Sequence, residues 1–173
     1  MDIKKFIDLC TGNWFSQRTN YQVETEKTES NKADLNITLI ATDDSRVSQL
    51  CQQNRIDPQL ILGGLQHSWD NSVDWGKPKQ QGSSLIILIR DQDNPQKGKI
   101  ISNTANQNLV GKYVLGNDSA LTLIFETKDK SVEERIWFAS DNLRLRTTVT
   151  KNEDGTMNTL FYSEIRKAPP KSE

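Results

Sequence analysis

The feature that most constrains the fold is a regular succession of short alternating segments from Leu60 onward. In most of these segments apolar and polar residues alternate, which is typical of a β-strand with one buried face. Turn-forming residues separate the segments at short intervals, as at Asn94-Pro95, Gly116-Asn117-Asp118 and Glu153-Asp154-Gly155. No interval is long enough for the helical crossover that a parallel strand pair requires. The sequence therefore predicts an antiparallel meander.

The predicted strands of this region run near Gly64–Val73, Ser84–Arg90, Lys99–Thr104, Leu109–Leu115, Ala120–Thr127, Val132–Ala139, Leu143–Thr150 and Met157–Arg166. Upstream, strands are predicted over Gly12–Val23 and near Asp34–Ala41. We expect the strands to close into an up-and-down barrel, because closure removes the exposed edges of the sheet. A barrel of this size can hold one small ligand.

Two short helices complete the predicted fold, which is mainly β. Asp2 is expected to cap the first helix, whose apolar residues fall at helical spacing, and Gly12 ends it. Ser45 is expected to cap the second helix, over Arg46–Asn54, before Pro58 ends it.

The length of 173 residues suits one domain, which we place at residues 1–167. The tail from Ala168, APPKSE, lacks core-forming residues, so residues 168–173 are expected to be flexible. The hydrophobic content of 34% is low, as a barrel with a partly polar lumen would allow. The formal net charge of −1 argues against nucleic-acid binding, since there is no global basic field.

The N-terminal sequence MDIKKFIDLCTG lacks the apolar core and cleavage site of a signal peptide, and no stretch is long enough to cross a bilayer. We therefore expect a cytosolic protein without membrane insertion. Cys10 and Cys51 have no metal-ligand spacing and are expected to be buried thiols. His67 is the only histidine, which argues against a structural zinc site. We expect His67 to be either exposed or satisfied in its hydrogen bonding.

A hairpin between Glu133 and Thr150, EERIWFASDNLRLRTTVT, is the most informative segment. Side chains alternate between the two faces of a strand, so its residues sort by parity. One face of the first strand carries Glu134, Ile136 and Phe138, and one face of the second carries Arg144, Arg146 and Thr148. In an ordinary half-buried strand such a cationic face lies in water, and the pattern alone favours that interpretation.

Three segments resemble the chromophore lyases of the CpcS/CpeS type, which attach linear tetrapyrroles to phycobiliproteins. They are GNWFSQRT (Gly12 to Thr19), ERIWFASDNLRLRT (Glu134 to Thr147) and YSEIRK (Tyr162 to Lys167). The likeness spans the chain, including its length, its N-terminal helix and its closing strand. The ERIWF…NLRLR block is specific, whereas the GxW at Trp14, shared with the lipocalin and fatty-acid-binding superfamily, is close to chance by itself. We interpret Trp14 as a core plug at one end of the barrel.

The resemblance implies a ligand and roles for several residues. A linear tetrapyrrole carries two propionates and four pyrrole-type rings. In these lyases the arginines of NLRLR hold the propionates and the carboxylate of ERIWF faces the pyrrole nitrogens. This implies that Arg144 and Arg146 bind ligand, with Thr148 on the same face, and that Glu134 is the catalytic proton relay. The resemblance also implies that the cationic face points into the barrel, whereas the alternation alone favours a face in water. Leu143 and Leu145 would then point outward.

Three further side chains are candidate ligand contacts. Arg18 lies in a segment that resembles the family's and can reach the same pocket, although a solvated or structural role fits it equally. Trp69 and Trp75 flank a stretch, Asp70 to Asp74, with little apolar support, and can form a lid over a bound chromophore. Either tryptophan can instead pack against the barrel rim.

The resemblance therefore implies a bilin lyase that binds phycocyanobilin or a close relative and presents it to a cysteine of an apo-phycobiliprotein subunit. The bilin is the substrate, and we expect no metal or organic cofactor. The setting would be a cyanobacterial cytosol or a plastid stroma. The family also implies a homodimer or a heterodimer with a sister subunit. Two alternatives stay open, namely a passive carrier of a fatty acid or similar carboxylate and a non-catalytic bilin chaperone.

Overall fold

The computed structural model describes residues 1–105 and 107–168, which form a closed barrel of ten antiparallel strands with two α-helices. The helices are α1 (Ile3–Cys10) and α2 (Ser45–Asn54). The strands are β1 (Gly12–Gln22), β2 (Lys27–Ile40), β3 (Ile61–Asp70), β4 (Gln81–Arg90), β5 (Lys97–Thr104), β6 (Asn108–Leu115), β7 (Leu121–Glu126), β8 (Lys130–Ser140), β9 (Leu143–Asn152) and β10 (Met157–Arg166). Each strand pairs with its neighbours in sequence, and β1 pairs with β10 to close the barrel. The predicted fold class is confirmed.

Helix α1 plugs one end of the barrel. Asp2 caps it as predicted, because its side chain accepts a hydrogen bond from the backbone N–H of Lys5 at 2.9 Å. The buried face packs into the interior, where Phe6 meets Phe138 edge-on with ring centroids 5.3 Å apart. Trp14, fully buried, donates its indole N–H to the carbonyl of Cys10 at 3.0 Å. The interpretation of Trp14 as a plug is therefore confirmed.

Helix α2 lies on the outside of the barrel and differs from the prediction at its start. Asp44, rather than Ser45, is the N-cap, and it accepts the backbone N–H of Arg46 at 2.9 Å. The buried residues of the helix are Val47, Leu50 and Cys51. They pack on the outward side chains of Leu85, Ile87 and Ile89 of β4 and Ile101 of β5. Strand β4 is therefore buried on both faces, which explains its nearly continuous apolar run.

Strands β2, β3 and β4 have boundaries that differ from the prediction by three residues or more. Strand β2 begins at Lys27, whereas its start was predicted near Asp34, after a run of polar residues. These polar residues pair with β1 through a tight turn in which Glu26 has a positive φ of 54°, and they carry no apolar alternation because they lie in water. Strand β3 runs from Ile61 to Asp70, three residues earlier than predicted at each end, with a register shift at Ile61/Gly63, and β4 begins at Gln81 rather than Ser84. The predicted tail lies outside the described residues except for Ala168.

The two barrel ends differ in what covers them. The turns that follow β1, β3, β5, β7 and β9 all lie at the end opposite α1, because consecutive strands are antiparallel. This end is the open mouth, and the loop between β3 and β4, residues 71–80, belongs to it. Neither helix is long and apolar enough to span a bilayer among the described residues.

Candidate functional site

Four neighbouring strands place polar side chains on one inner wall of the barrel. Strand register aligns them in three rows that run from β8 through β9 and β10 to β1: Phe138–Arg144–Glu164–Ser16, Ile136–Arg146–Tyr162–Arg18 and Glu134–Thr148–Leu160–Asn20. Directly paired residues of an antiparallel sheet share a face, so each row is a set of side-chain neighbours. The predicted cationic face therefore points inward, as the family resemblance implied and the pattern alone did not.

Glu164 lies at the centre of this wall and is 0% exposed. Its carboxylate accepts hydrogen bonds from Arg144 Nε at 2.6 Å, from Arg146 at 3.2 Å and from the Ser16 hydroxyl at 3.3 Å. Burial by itself would raise the pKa of Glu164, but the two guanidinium groups outweigh it and hold that pKa below its usual range. Glu164 is therefore a carboxylate at neutral pH, and it neutralises part of the arginine charge.

Arg146 lies in the middle row of the wall and connects the row that contains Glu164 to the row that contains Glu134. One of its terminal nitrogens donates to Glu164, and the other donates to Glu134 at 3.3 Å. Its guanidinium carbon lies 3.7 Å from the ring centre of Tyr162, a cation–π contact. Glu134 also accepts a hydrogen bond from the Thr148 hydroxyl at 3.0 Å. Burial opposes the charge of Arg146, yet the carboxylates of Glu134 and Glu164 leave its pKa raised, so Arg146 stays charged.

A cavity of about 310 Å³ opens beside this wall, at the low end of the range for ligand pockets. Three arginines at inward strand positions line it, namely Arg18, Arg144 and Arg146. Lys32 also borders it but holds an outward position of β2, paired with Gln17. Trp69 and Tyr162 contribute aromatic surface, and among the described residues no acidic side chain lines the cavity. Guanidinium groups bind carboxylates through paired hydrogen bonds, and aromatic faces stack on conjugated rings. The cavity therefore suits an anionic ligand with a flat ring system.

Arg18 contributes a donor that the protein does not use. One terminal nitrogen donates to the Asn31 side chain at 3.1 Å, whereas Arg18 Nε is buried and has no partner among the described residues. Arg146 Nε is also buried and unpartnered in that part of the chain. Buried donors without partners are uncommon in folded proteins, and those that line a cavity indicate a missing ligand or ordered water.

The predicted site residues fall into three groups. Arg18, Trp69, Arg144 and Arg146 line the cavity. Glu134 and Thr148 do not line the cavity: Glu134 is hydrogen-bonded to the lining residue Arg146, and Thr148 is hydrogen-bonded to Glu134. Trp75 lies in the 71–80 loop, where it is 91% exposed, and it does not line the cavity. Its role in covering a ligand stays a prediction.

Sequence reasoning missed three residues of the site. Glu164 and Tyr162 lie on the inner face of β10, and the alternation of YSEIR, with these side chains two residues apart, was the available signal. His67 was expected to be exposed or satisfied, and this expectation was wrong. His67 is half-buried in the cavity wall, and its Nε2 has no partner among the described residues.

A larger and more open cleft, about 790 Å³, lies on the outer side of β1 to β4. Outward side chains such as Asn36, Ser68 and Asp70 line it, and it shares Leu35 and Trp69 with the inner cavity but none of the arginines. The inner cavity is the better candidate because the charged network adjoins it. No cluster of three or more His, Cys, Asp or Glu side chains that could hold a metal ion occurs in residues 1–105 and 107–168.

Comparison with known proteins gives consistent matches over nearly the whole chain. A family model described as CpeS-like protein matches residues 2–167. A relative named chromophore lyase CpcS/CpeS from Thermosynechococcus vestitus is 41% identical, over 96% of this chain and 93% of its own. The phycocyanobilin lyase subunit CpcS of Picosynechococcus is 32% identical, over 95% of this chain and 86% of its own. The S-type phycobiliprotein lyase structure from Guillardia theta superposes with a TM-score of 0.85 at 25% identity, covering 98% of this chain and 94% of that one.

Proposed function

The chain belongs to the CpeS-like family of chromophore lyases, and from this premise we propose that it binds a phycobilin and attaches it to a cysteine of an apo-phycobiliprotein subunit. The bilin is a substrate of the phycocyanobilin type, and the thiol belongs to the acceptor protein. The reaction requires no metal or organic cofactor. The setting is the cytosol of a cyanobacterium or the stroma of a plastid.

The observation that carries this proposal is the charge of the inner cavity. Three inward arginines and two aromatic residues line it, and no acidic side chain does so among the described residues. A phycobilin has two propionates for the cations and conjugated rings for Trp69 and Tyr162. The Nε atoms of Arg18 and Arg146 have no partner among the described residues, so the hydrogen-bonding capacity of these two cavity-lining guanidinium groups is not used up by the protein.

The chemistry is an addition, in which atoms and charge balance without a leaving group. The acceptor sulfur bonds to the ethylidene carbon of the bilin, and the S–H proton is transferred to the tetrapyrrole. Protonation of the conjugated system makes the ethylidene carbon electrophilic, so a carboxylic group near the ring nitrogens accelerates the step. We assign this relay to Glu134, whose contact with Arg146 connects it to the cavity. Holding the bilin extended would also suppress addition in the wrong geometry.

The two alternative functions differ in what the interior must supply. A passive carrier of a fatty acid needs an apolar lumen around its arginines, whereas here Ser16, Glu134, Thr148 and Glu164 surround them. This polar wall favours a ligand with hydrogen-bonding rings over an alkyl chain. A bilin chaperone would bind the same ligand without forming a bond, so only covalent transfer separates it from a lyase.

The decisive experiment mixes purified protein with phycocyanobilin and apo-phycobiliprotein subunits, and then records visible absorbance after denaturation. If the bilin becomes covalently bound to the acceptor subunit faster than in the spontaneous reaction, the protein is a lyase. Bilin binding without enhanced transfer, with sister subunits also present, would instead indicate a chaperone. A protein that leaves the bilin spectrum unchanged would contradict the proposal.

Variants of two arginines test where the propionates bind. We expect Arg18→Leu to weaken phycocyanobilin binding by about tenfold or more, because it removes a charge-assisted hydrogen bond without breaking the Glu164 network. Arg135→Leu is the matched control, since Arg135 is exposed and pairs only with Asp118 on the outer surface. The double variant Arg144→Leu/Arg146→Leu should abolish the spectral shift, provided that circular dichroism shows a folded barrel. Unchanged binding by the folded double variant would place the propionates elsewhere.

We also propose that two copies of the chain pair through the outer face of β9 and β10. The predicted apolar row of Leu143, Leu145 and Val149 is half-buried within the chain. Beside it on β10, however, Phe161 is 42% exposed and Ile165 is 53% exposed, and Ile165 pairs directly with Leu143. The outward positions from Leu143 to Val149 and from Thr159 to Ile165 carry no charge. Such a patch is self-complementary and suits a two-fold dimer.

A further inference from the structure

His67 lines the cavity but forms no hydrogen bond with the arginines and glutamates of the inner wall. It lies on β3, with Ile37 of β2 and Ser84 of β4 as its direct neighbours in the sheet. Its side chain makes no hydrogen bond to a described residue, and Nε2 is buried there without a partner. Ser84 lines the same cavity. An unpartnered buried nitrogen is disfavoured in a folded protein unless something other than the protein satisfies it.

The surroundings of His67 determine its charge. Arg144 and Arg146 of β9 act on it from across the cavity, and Glu164 of β10 opposes them. Burial, with the two guanidinium charges, lowers the pKa of His67 to about 3. The imidazole is therefore neutral at neutral pH, with one N–H donor and one nitrogen acceptor.

We propose that His67 is a further ligand-contacting residue, which hydrogen-bonds the bound bilin through its imidazole ring, since neither ring nitrogen has a hydrogen-bond partner among the described residues. This inference rests on the proposed function, because it takes the bilin as the ligand. The neutral imidazole suits the polar but uncharged edge of the tetrapyrrole, meaning a ring N–H or a lactam carbonyl. The propionates are drawn instead to the three arginines, Arg18, Arg144 and Arg146.

A division of labour between the two cavity walls follows from this assignment. The arginines bind the carboxylates that all phycobilins share. His67 hydrogen-bonds the edge of the tetrapyrrole rings, and the rings of different bilins differ in oxidation state and conjugation. His67 is therefore a specificity-determining residue, and its loss should change the spectrum of the bound bilin as well as its affinity. A residue with a structural role alone would alter neither the spectrum nor the choice among bilins.

The test compares phycocyanobilin binding to the full chain and to His67→Leu, His67→Gln and Ser68→Ala. We expect His67→Leu to weaken binding about tenfold, the value of one hydrogen bond, and to shift the absorption maximum of the bound bilin. The amide of His67→Gln should recover part of the affinity. Ser68 is the matched control, because it is the next residue of β3 and faces outward.

Nitrogen NMR gives a second, independent measurement, since His67 is the only histidine in the chain and its ring signals need no assignment. With ¹⁵N-histidine label, adding phycocyanobilin should shift one ring nitrogen in the way that a new hydrogen bond does. Normal binding by His67→Leu with an unchanged spectrum, or ring nitrogens that do not respond to bilin, would overturn the inference and leave the lyase proposal intact. Absence of bilin binding by the unaltered protein would overturn both.

Discussion

The buried carboxylate of Glu164 gives the sharpest test of what holds the inner wall together. Glu164 is 0% exposed and Arg144 is 3% exposed, and the two are joined at 2.6 Å. The substitution Glu164→Gln keeps the size of the side chain but leaves Arg144 without a counter-charge. Arg146 keeps Glu134 as its partner. The perturbation therefore isolates one uncompensated charge in the barrel interior.

The expected loss is large for a single substitution. Breaking a buried ion pair by removing one partner costs about 3–5 kcal/mol, because the remaining charge stays desolvated. For a chain of this length each kcal/mol lowers the melting temperature by roughly 2–4 °C, so we expect a decrease of about 6–20 °C. Differential scanning calorimetry or circular dichroism at pH 7 measures it.

Two further variants make the reasoning refutable. Glu133→Gln, at the exposed outward position of β8, removes the same charge at the surface and should change stability by no more than about 0.5 kcal/mol. Arg144→Leu/Glu164→Leu removes both charges and should recover much of the loss, because apolar side chains often replace a buried pair at little cost. If Glu164→Gln were no less stable than Glu133→Gln, the wall would not depend on this pair and the argument would fail.

Three other predictions concern acid, catalysis and assembly. Because Glu164 has a lowered pKa in the folded state, its stabilisation is fully present above the ordinary carboxyl pKa of about 4.3 and is lost as pH falls through the lowered value. Glu164→Gln should thus flatten the acid limb of a stability–pH curve, and an unchanged limb would show that other groups control it. Glu134→Gln should retain bilin affinity but lose most transfer, since the amide cannot relay a proton; transfer at the parent rate would leave Glu134 a structural or recognition role. Sedimentation equilibrium should give a dimer that Phe161→Arg converts to monomer, and a monomeric mass for the parent at all concentrations would remove the dimer while leaving the lyase proposal intact.

The barrel could be predicted from the sequence, but only part of the site could, and particular residues show why. Alternation located β9 and the parity of Arg144 and Arg146, since a strand fixes which side chains share a face. Alternation does not say which face is inside, and for the arginines the pattern favoured water. The start of β2 at Lys27 was missed because residues that face water on both sides leave no hydrophobic period.

Glu164 illustrates a second limit. Its contacts with Ser16 and Arg144 join residues 148 and 20 positions apart, and they exist only because β10 pairs with both β1 and β9. Register between strands is a tertiary property, so the sequence of β10 alone could mark Glu164 as inward but could not name its partners. The same holds for His67, whose lack of a partner is visible only once the opposite wall is placed.

The plug at the closed end ties the first helix to the last strand of the barrel. Arg166, the last residue of β10, donates to the carbonyls of Leu9 at 2.8 Å and Thr11 at 2.5 Å, and its guanidinium lies 4.1 Å from the Trp14 ring centre. These contacts join residues more than 150 positions apart, so they form only after β10 has been synthesised. Because non-local pairing comes last, the plugged end of a nascent barrel stays unsealed until β10 is in place.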